Sequence, residues 1–465
     1  MGLRTRQSAD APASAHKKLR PAQKLPFFFA ALSAGFFAAA ASAYLAYFWT
    51  DAAKLPAVTA GAFLICARLW DALCTPVAGW LCERIKIRTR RGRYRAWMLL
   101  CIPTAVFGVL TFTVIPGLNR TGRAVLALPV CLLLIGCSCF WQVAFHGLAA
   151  NLTTEPDSRL SAISWRHTGF FLSALLITTV VFPAVLAGEG DSMPARFFWA
   201  ALILGVVSVP LGLWQYWGTR ELAFPTLPRP DLRKCVGALR GSGPFWRCLG
   251  TLALCGLAAG CAGARVYFWT YNCKNAVMAG SSAAVGLIGG LIGAIFAGVF
   301  ATVAENKGKL AYAGCLVRAL ADLAAGFMGM GGASDNIALA ALQILALLSG
   351  FGSGFAVTAM CGILPDLTEY IQWRCDVRSP AFLASLPIFA YKLGAALTAA
   401  AFPLVIGLLG YEPGQAQNGA VLAANNGFFT FIPAACLFLA ALCMRRYKLD
   451  RESFIRLLAE ISARG

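Results

Sequence analysis

Charged residues are scarce in this sequence, and acidic residues are the scarcest. Charged residues make up 13% of the 465 residues, against 59% for hydrophobic ones, whereas soluble domains carry about 25% charged residues. Histidine occurs only three times, and the sequence has no nucleophile–base constellation or nucleotide-binding loop. We therefore expect neither a soluble domain nor an enzyme.

Paired cysteines are missing as well. The 17 cysteines lie mostly inside apolar segments and form no CxxC pair, so we interpret them as small buried groups and expect no disulfide or zinc site. The 40 basic residues outnumber the 20 acidic ones, but they fall in short stretches between apolar runs, which is not typical of nucleic-acid binding. The sequence thus predicts no cofactor, no metal, no nucleic acid and no obligate protein partner.

Long apolar runs dominate the chain instead. A helix crosses the hydrocarbon core with about 20 apolar residues. Twelve segments meet this requirement, at residues 26–49, 56–82, 97–117, 124–151, 162–188, 196–217, 245–271, 278–303, 309–331, 337–363, 380–409 and 425–444. The predicted fold class is an all-α membrane protein with twelve transmembrane helices, for which the lipid bilayer is the first partner.

Loop charges predict the orientation of these spans. Residues 1–25 are basic without a cleavable signal pattern, so we expect the first run to be retained. Alternate loops are rich in Lys and Arg, at 83–95, 219–243 and 445–465, and the others carry almost none, at 188–196, 331–336 and 411–426. The positive-inside rule then places both termini in the cytoplasm of an integral multi-pass protein of the plasma (inner) membrane.

A polar connector divides the spans into six plus six. It covers residues 219–243 and contains PTLPRP, which disfavours a continuous helix. The predicted domains are an N-terminal six-helix bundle at 1–218, the cytoplasmic connector, a C-terminal bundle at 244–444 and a cytoplasmic tail at 445–465. This division is expected of a two-bundle secondary transporter, although a channel or a membrane enzyme could also have twelve spans.

Two charges interrupt the second apolar run. In RLWDALCTPVAGW, residues 68–80, Arg68, Asp71 and Thr75 share one face of a helix because they are three or four residues apart. An unpaired charge in lipid costs several kcal/mol, so intramembrane charges face a partner or a water-filled path. Asp71 either forms a plain ion pair with Arg68 or Lys392, or couples transport to an ion.

Four blocks of the sequence carry a family resemblance. Residues 68–100, RLWDALCTPVAGWLCERIKIRTRRGRYRAWMLL, resemble the R-x-x-D-A-x-x-D-P-x-x-G hallmark of the glycoside-pentoside-hexuronide:cation symporters, the melibiose permease relatives within the major facilitator superfamily. The other blocks are LTTEPDSRLSAISWR (152–166), LPDLTEYIQWRCDVRSPAF (364–382) with YKLGAAL (391–397), and YKLDRESFIRLLAEI (447–461). The resemblance implies two six-helix bundles in the major facilitator fold. It also implies a secondary active transporter that moves a small polar solute, such as a sugar or glycoside-like compound, by alternating access.

The resemblance also implies cation-coupling residues. Asp71 matches one of two family acids, Thr75 stands in place of the second, and Lys392 aligns with a lysine near the cation and sugar sites. Cys74 and Cys139 replace oxygen-bearing side chains, and hard cations such as Na⁺ favour oxygen over sulfur. We therefore expect coupling to H⁺, or uncoupled transport, without a Na⁺ cage.

Three positions carry over as substrate-binding candidates, together with Lys392. By resemblance, Gln142 replaces a sugar-binding acid, His146 a stacking tryptophan, and Arg166 matches an arginine that faces the sugar; Gly35 replaces a second sugar-binding acid. Galactoside recognition is therefore not expected. His146 is either a ligand residue or a satisfied core histidine, and Arg166 could instead reach the membrane interface.

The sequence leaves undecided the roles of the other intramembrane charges and the choice among alternative functions. Arg265, Arg318 and Asp322 lie in apolar runs, and the last two can neutralise each other at i, i+4. A lipid or lysolipid carrier of the same fold is the alternative to a solute transporter. A non-transporting sensor would also explain the lost ligand acids.

Overall fold

The structure, a computed structural model, is built from helices. It describes residues 19–85, 87, 92–153, 155–188, 192–219, 221, 232–300, 303–330, 335–412 and 415–464. In chain order the helices are α1 (Pro21–Ala52), α2 (Ala57–Arg84), α3 (Arg95–Thr111), α4 (Arg120–Ala150), α5 (Pro156–Ala187), α6 (Met193–Gly218), α7 (Leu232–Leu239), α8 (Gly243–Asn272), α9 (Val277–Phe300), α10 (Lys307–Met330), α11 (Asn336–Cys375), α12 (Pro380–Leu408), α13 (Gly419–Arg445) and α14 (Arg451–Arg464).

The helices coincide with the predicted spans. Within the described residues, eleven helices are long and apolar enough to cross a membrane, and α3 is a shorter apolar helix at the predicted third span. The helices α7 and α14 are polar, and they lie in the predicted connector and tail. The predicted all-α membrane fold is confirmed.

Two of the helices extend well beyond the predicted spans. The helix α11 continues to Cys375, twelve residues past the predicted end at 363, and α5 begins at Pro156 within the segment predicted as a loop. Hydropathy fails there because both extensions carry charged side chains that are buried against protein instead of lipid. Asp366 and Glu369 in α11, for example, are 6% and 2% exposed.

The helices of each half of the chain pack mainly with one another. In the first half α1 packs against α5 and α6, and α4 packs against α2 and α3; in the second, α11 packs against α9 and α10, and α8 against α12 and α13. The halves meet where α2 contacts α12 and α5 contacts α9. The exact domain boundaries stay a prediction, since residues 222–231, which include PTLPRP, lie outside the described residues.

An internal repeat relates the two halves. Residues 47–54 read YFWTDAAK and residues 267–274 read YFWTYNCK, and both segments end their helix in a π-helical turn. Each then turns through a lysine with positive φ, 59° at Lys54 and 52° at Lys274. Such single π turns are uncommon within helices, so the same turn at the same place in both halves indicates a duplicated helix end.

Glycines set the closest approaches between helices. In the run at 286–298, a Cβ at Gly289 would lie 2.1 Å from the Leu347 carbonyl oxygen, and one at Gly293 2.1 Å from the Phe351 carbonyl oxygen. The backbones of α9 and α11 therefore touch, as small residues permit in membranes. The glycine run therefore serves helix packing.

A carboxylate outside the membrane spans fixes the start of α3. Glu221 accepts hydrogen bonds from the backbone N–H groups of Tyr94 and Arg95, at 2.7 and 2.9 Å. These are orphan donors at a helix N-terminus, where a negative charge is favoured. Burial raises the pKa of the Glu221 carboxyl, against these hydrogen bonds. The contact joins the end of α6 to the start of α3.

Candidate functional site

An ion pair joins the two halves in the middle of the membrane. The Lys392 ammonium in α12 lies 2.6 Å from the Asp71 carboxylate in α2. About a third of the Asp71 side chain remains exposed, at 32%. Arg68 instead donates to the Ser42 hydroxyl at 3.4 Å. Of the two partners predicted for Asp71, the structure selects Lys392.

The surroundings of this pair offer little oxygen. The Thr75 hydroxyl is fully buried and donates back to the Asp71 carbonyl at 2.9 Å, and it lies 3.4 Å from the Cys139 thiol. The Lys392 ammonium is 3.8 Å from the same sulfur. The three predicted coupling residues therefore meet in one cluster, in which an ammonium and a thiol stand beside the one carboxylate.

Gln142 and Arg166 line a small crevice within the first half. They share it with Phe27, Trp141 and Gln215. Its volume of about 10 Å³ is close to the space that a single water occupies. The Gln142 amide donates to the Ser138 hydroxyl at 3.1 Å. The structure brings these two candidates together, but a solute larger than water would require the crevice to widen.

An aromatic ring holds Arg166 in the first half, and His146 is buried next to that ring in the sequence. The Arg166 guanidinium lies 4.2 Å from the centre of the Phe145 ring, a cation–π arrangement that holds it within the bundle. His146, which follows Phe145 in the sequence, is 5% exposed, and its Nδ1 has no hydrogen-bond partner in the described part of the chain. His146 is therefore a buried histidine without the satisfied Nδ1 that a purely structural role favours.

Close packing explains why position 35 is a glycine. A Cβ there would lie 1.8 Å from the Ser173 hydroxyl oxygen, and a Cβ at Gly169 would lie 2.3 Å from the Phe28 carbonyl oxygen. The helices α1 and α5 thus touch where the family carries a sugar-binding acid. An acidic side chain at position 35 does not fit without separating them, which is consistent with a changed ligand class.

Both ends of the described chain lie on the same side of the molecule, here called the terminal side. The Leu19 amide donates to the Ser158 hydroxyl at 3.2 Å, and Arg451 lies 2.9 Å from the Asp157 carboxylate. These two contacts converge on the first turn of α5. An even number of membrane crossings therefore separates the ends.

A buried charge network closes the terminal side between the halves. The fully buried Arg159 of α5 lies 2.5 Å from the Glu369 carboxylate of α11. Asp366, one turn earlier in α11, is 4.0 Å from Arg159 and 2.7 Å from Lys307. Arg378 donates to the Asn151 side chain at 3.2 Å, which adds a second link between the halves. Opening this side would expose and separate these charges.

The first sequence block joins the same closure. Glu83 at the end of α2 accepts from the Ala381 backbone N–H at the start of α12, at 2.9 Å, and from the Tyr94 hydroxyl at 2.7 Å. Arg93 lies 3.3 Å from its carboxylate. Glu83 thus ties the end of α2 to the starts of α3 and α12, while residues 88–91 lie outside the described residues.

Sequence reasoning did not identify this network, although it quoted the residues. Arg159, Asp366, Glu369 and Arg378 lie in the 152–166 and 364–382 blocks, which were used only for the family resemblance. The available signal was the charge of the two blocks. The 152–166 block contributes a buried arginine, and the 364–382 block contributes two acidic residues. Because a buried charge requires a partner, the sequence could have predicted that these two blocks contact each other.

Comparison with known proteins agrees with the fold and the motifs. The chain is 24% identical to the isoprimeverose transporter of Lactiplantibacillus pentosus, over 88% of this chain and 85% of the relative. It is 26% identical to the inner membrane symporter YicJ of Escherichia coli, over 87% and 86%. It is 23% identical to a glucuronide carrier protein homolog of Escherichia coli, over 90% and 91%.

Solved structures share the architecture. A bacterial homologue of the iron transporter ferroportin in an outward-facing state superposes with a TM-score of 0.67, over 92% of this chain and 99% of that chain at 12% identity. The proton:xylose symporter XylE bound to 6-bromo-6-deoxy-D-glucose gives 0.66, over 92% and 96% at 14% identity. Residues 26–451 match the family described as MFS/sugar transport protein. The chain therefore belongs to this family of membrane transporters.

Proposed function

We propose that the protein is a secondary transporter that moves a sugar or glycoside-like solute by alternating access, with Asp71 as its coupling group. The observation that carries the proposal is the Asp71–Lys392 ion pair, which links the two halves midway along α2 and α12 and leaves the Asp71 side chain partly exposed. The names of the relatives, an isoprimeverose transporter among them, support the solute class. We place the protein in the inner membrane with the terminal side in the cytoplasm.

In this proposal the solute enters from the side opposite the closed terminal side. Gln142, His146 and Arg166 bind its hydroxyl groups from the first half, and Lys392 approaches from the second. A proton moves from water to the Asp71 carboxylate, which weakens the attraction to Lys392. The ammonium is then free to bind the solute, and the halves rock until the terminal side opens. Asp71 releases its proton there.

The surroundings of Asp71 support coupling by a proton over coupling by Na⁺. A hard cation needs several oxygen ligands to replace its hydration shell. The nearest neighbours of the Asp71 carboxylate include an ammonium at 2.6 Å, and the buried Thr75 hydroxyl is already donated to a backbone carbonyl. A proton requires only the one titratable group. We expect no catalytic activity, no resident cofactor and no obligate protein partner.

Transport by purified protein in liposomes tests the proposal. A thermal-shift screen against sugars, glycosides, nucleosides and lysolipids first selects the solute, because a ligand of the folded state raises the melting temperature. Uptake of that solute is then measured with an imposed pH gradient and, separately, with an imposed Na⁺ gradient. We expect at least a tenfold stimulation by the pH gradient in wild type, no effect of replacing Na⁺ with choline, and loss of the stimulation in Asp71→Asn.

Three results would contradict the proposal in different ways. Stimulation by Na⁺ that disappears in Asp71→Asn would show that the sodium mechanism survives without a second acid. Selective stabilisation and movement of lysolipid would favour the lipid carrier. Binding of a solute without uptake under any gradient would favour the sensor.

A further inference from the structure

A second cavity lies inside the C-terminal half, away from the Asp71–Lys392 pair. It encloses about 180 Å³ between α8, α9, α10, α11 and α13. Since one water needs roughly 10 to 15 Å³ of such space, the cavity holds on the order of ten waters, whereas the crevice at Gln142 holds about one. It is therefore large enough for a small organic solute.

The charges in this cavity do not balance. Arg265, Arg318 and Asp322 line it, which leaves one positive charge in excess among the described lining residues. Arg318 and Asp322 form an ion pair at 3.5 Å, and Arg318 also donates to the Ser353 hydroxyl at 3.2 Å. The Arg265 Nε is buried without a hydrogen-bond partner in the described chain. The residue as a whole is half-buried, and a buried donor of a cation that lacks a partner favours an anion beside it.

The remaining lining suits a hydroxylated molecule. The Ser282, Ser349 and Thr430 side chains supply hydroxyl groups, and Trp269 and Phe429 supply aromatic faces. The Trp269 indole Nε1 is another buried donor without a partner among the described residues. Few convergent polar groups in an otherwise apolar cavity are typical of a ligand site. The Arg318 side chain is 16% exposed, so part of its surface is free to contact a molecule in the cavity.

The cavity wall also forms part of the contact between the halves. Gly286 lines the cavity, and Gly290, one turn further along α9, packs so closely on Phe171 of α5 that a Cβ there would lie 2.4 Å from the ring. The Ser164 hydroxyl of α5 donates to the Ala294 carbonyl of α9 at 2.7 Å. A molecule bound in the cavity therefore contacts a helix that must slide when the halves rock.

We propose that this cavity is a binding site for an organic monoanion with hydroxyl groups, a carboxylate or sulfonate on a sugar or polyol skeleton, whose charged group pairs with Arg265. This inference rests on the proposed function and deepens it, because it assigns an acidic solute class to the transporter. The Arg265 guanidinium is planar, and its N–H donors have a geometry that matches the oxygens of carboxylate and sulfonate groups. Arg318 stays paired with Asp322 and contributes to the positive electrostatic potential inside the cavity.

Matched pairs of probes test the site on the purified full-length protein. D-glucuronate is compared with D-glucose, and 2,3-dihydroxypropane-1-sulfonate with glycerol, by thermal shift and calorimetry at constant ionic strength. The first pair reports carboxylates and the second sulfonates. We expect at least one anion to bind at least tenfold more tightly than its neutral partner, the scale of one charge-assisted hydrogen bond.

Three substitutions separate charge recognition from loss of folding. Arg265→Gln should weaken the preferred anion at least tenfold and leave its neutral partner within twofold. Asp322→Asn should keep or increase the affinity for the anion, because it removes a negative charge from the cavity. Arg123→Gln, a membrane arginine outside both sites, should change neither. If Arg265 and Asp322 have only structural roles, both variants should instead have a lower melting temperature, and their affinities for the anion should not change in opposite directions.

The remaining outcomes separate this inference from the proposed function. Equal binding of anions and neutral partners, no binding of any probe, or unchanged anion binding in Arg265→Gln would overturn the inference. If liposomes then take up the neutral solute under a pH gradient, the proposed function stands alone. Anion binding that depends on Arg265 with no uptake of any solute would support the site and contradict the proposed function.

Discussion

At the scale of single residues, the chain keeps the cationic residues that the resemblance implies for the site and, apart from Asp71, replaces the acidic ones. Lys392 and Arg166 are present, whereas Gly35, Thr75 and Gln142 stand where acids are implied. The structure gives a reason for Gly35, since Ser173 fills the space that its side chain would need. We therefore expect the proposed site to be more positive and more closely packed than one that recognises its ligand through acidic side chains.

The role of the first-half crevice is testable by truncating its polar side chains. We expect Gln142→Ala to weaken binding of the best glycoside of the thermal-shift screen by about fivefold and Arg166→Ala by about tenfold or more, because a neutral hydrogen bond contributes about 1 kcal/mol and a charged one more. Calorimetry on purified variants measures this. Lys54→Ala, on the side opposite the terminal side, is the control and should bind normally. Normal binding and transport by both crevice variants would show that the site lies elsewhere.

At the scale of elements, the charged ends of α5 and α11 act as a lock between the halves. Removing one partner of a buried ion pair costs roughly 3 to 5 kcal/mol, because the other charge stays buried. Because Arg159 and Glu369 belong to different halves, we expect their contact to break when the terminal side opens. Weakening it therefore destabilises the closed arrangement relative to the open one.

The native thiol of Cys361 reports this opening. It is 7% exposed and packs in the cluster that contains Phe145 of the first half. We expect Glu369→Gln and Arg159→Gln to increase the rate of Cys361 alkylation by N-ethylmaleimide at least tenfold, as measured by mass spectrometry of the digested protein. Lys309→Gln removes an exposed pair with Glu305 on the same side and should leave the rate unchanged.

The double variant distinguishes a lock from general destabilisation. In Arg159→Gln with Glu369→Gln neither buried charge is left alone, so the effects of the two single variants should be less than additive. Unchanged alkylation in both single variants, with unchanged uptake of solute, would show that the network does not hold the terminal side closed.

At the scale of the whole molecule, the polar contacts that join the halves run from mid-membrane to the terminal side. They start at Asp71 and Lys392, continue through His167 and Thr358 at 3.1 Å, and end at Arg159 and Glu369. The structure therefore represents the arrangement closed on the terminal side. The repeat of YFWT at the ends of α1 and α8 agrees with two related halves that rock about a central site.

Labelling in intact cells tests which side of the membrane is which. The residues at both test positions are exposed, Gln415 in the loop after α12 and Arg456 in α14. We expect a membrane-impermeant maleimide to label Gln415→Cys from outside, and Arg456→Cys only after permeabilisation, because Lys and Arg accumulate in cytoplasmic loops. The parent protein corrects for its native thiols. The reverse pattern would invert the topology.

The amino-acid sequence alone determined the number and place of the spans, the family and the identity of the intramembrane charges. These properties are local, because about 20 apolar residues cross a membrane wherever they occur and residues three or four apart share a helix face. Even the limits of α5 and α11 required the structure, because their charged ends are buried against protein and hydropathy cannot distinguish that from exposure to water.

Only the tertiary structure decided which charges meet. Asp71 has Arg68 three residues away on its own helix, but its partner is Lys392, 321 residues further along the chain. Arg159 likewise meets Glu369 across 210 residues, and the Arg265 Nε is buried without a hydrogen-bond partner among the described residues. The spacing of residues in the sequence fixes which side chains are neighbours within one helix. Contacts between helices depend instead on the rotation, tilt and closest approach of the helices. Here the glycines at 289, 290 and 293 set the closest approach.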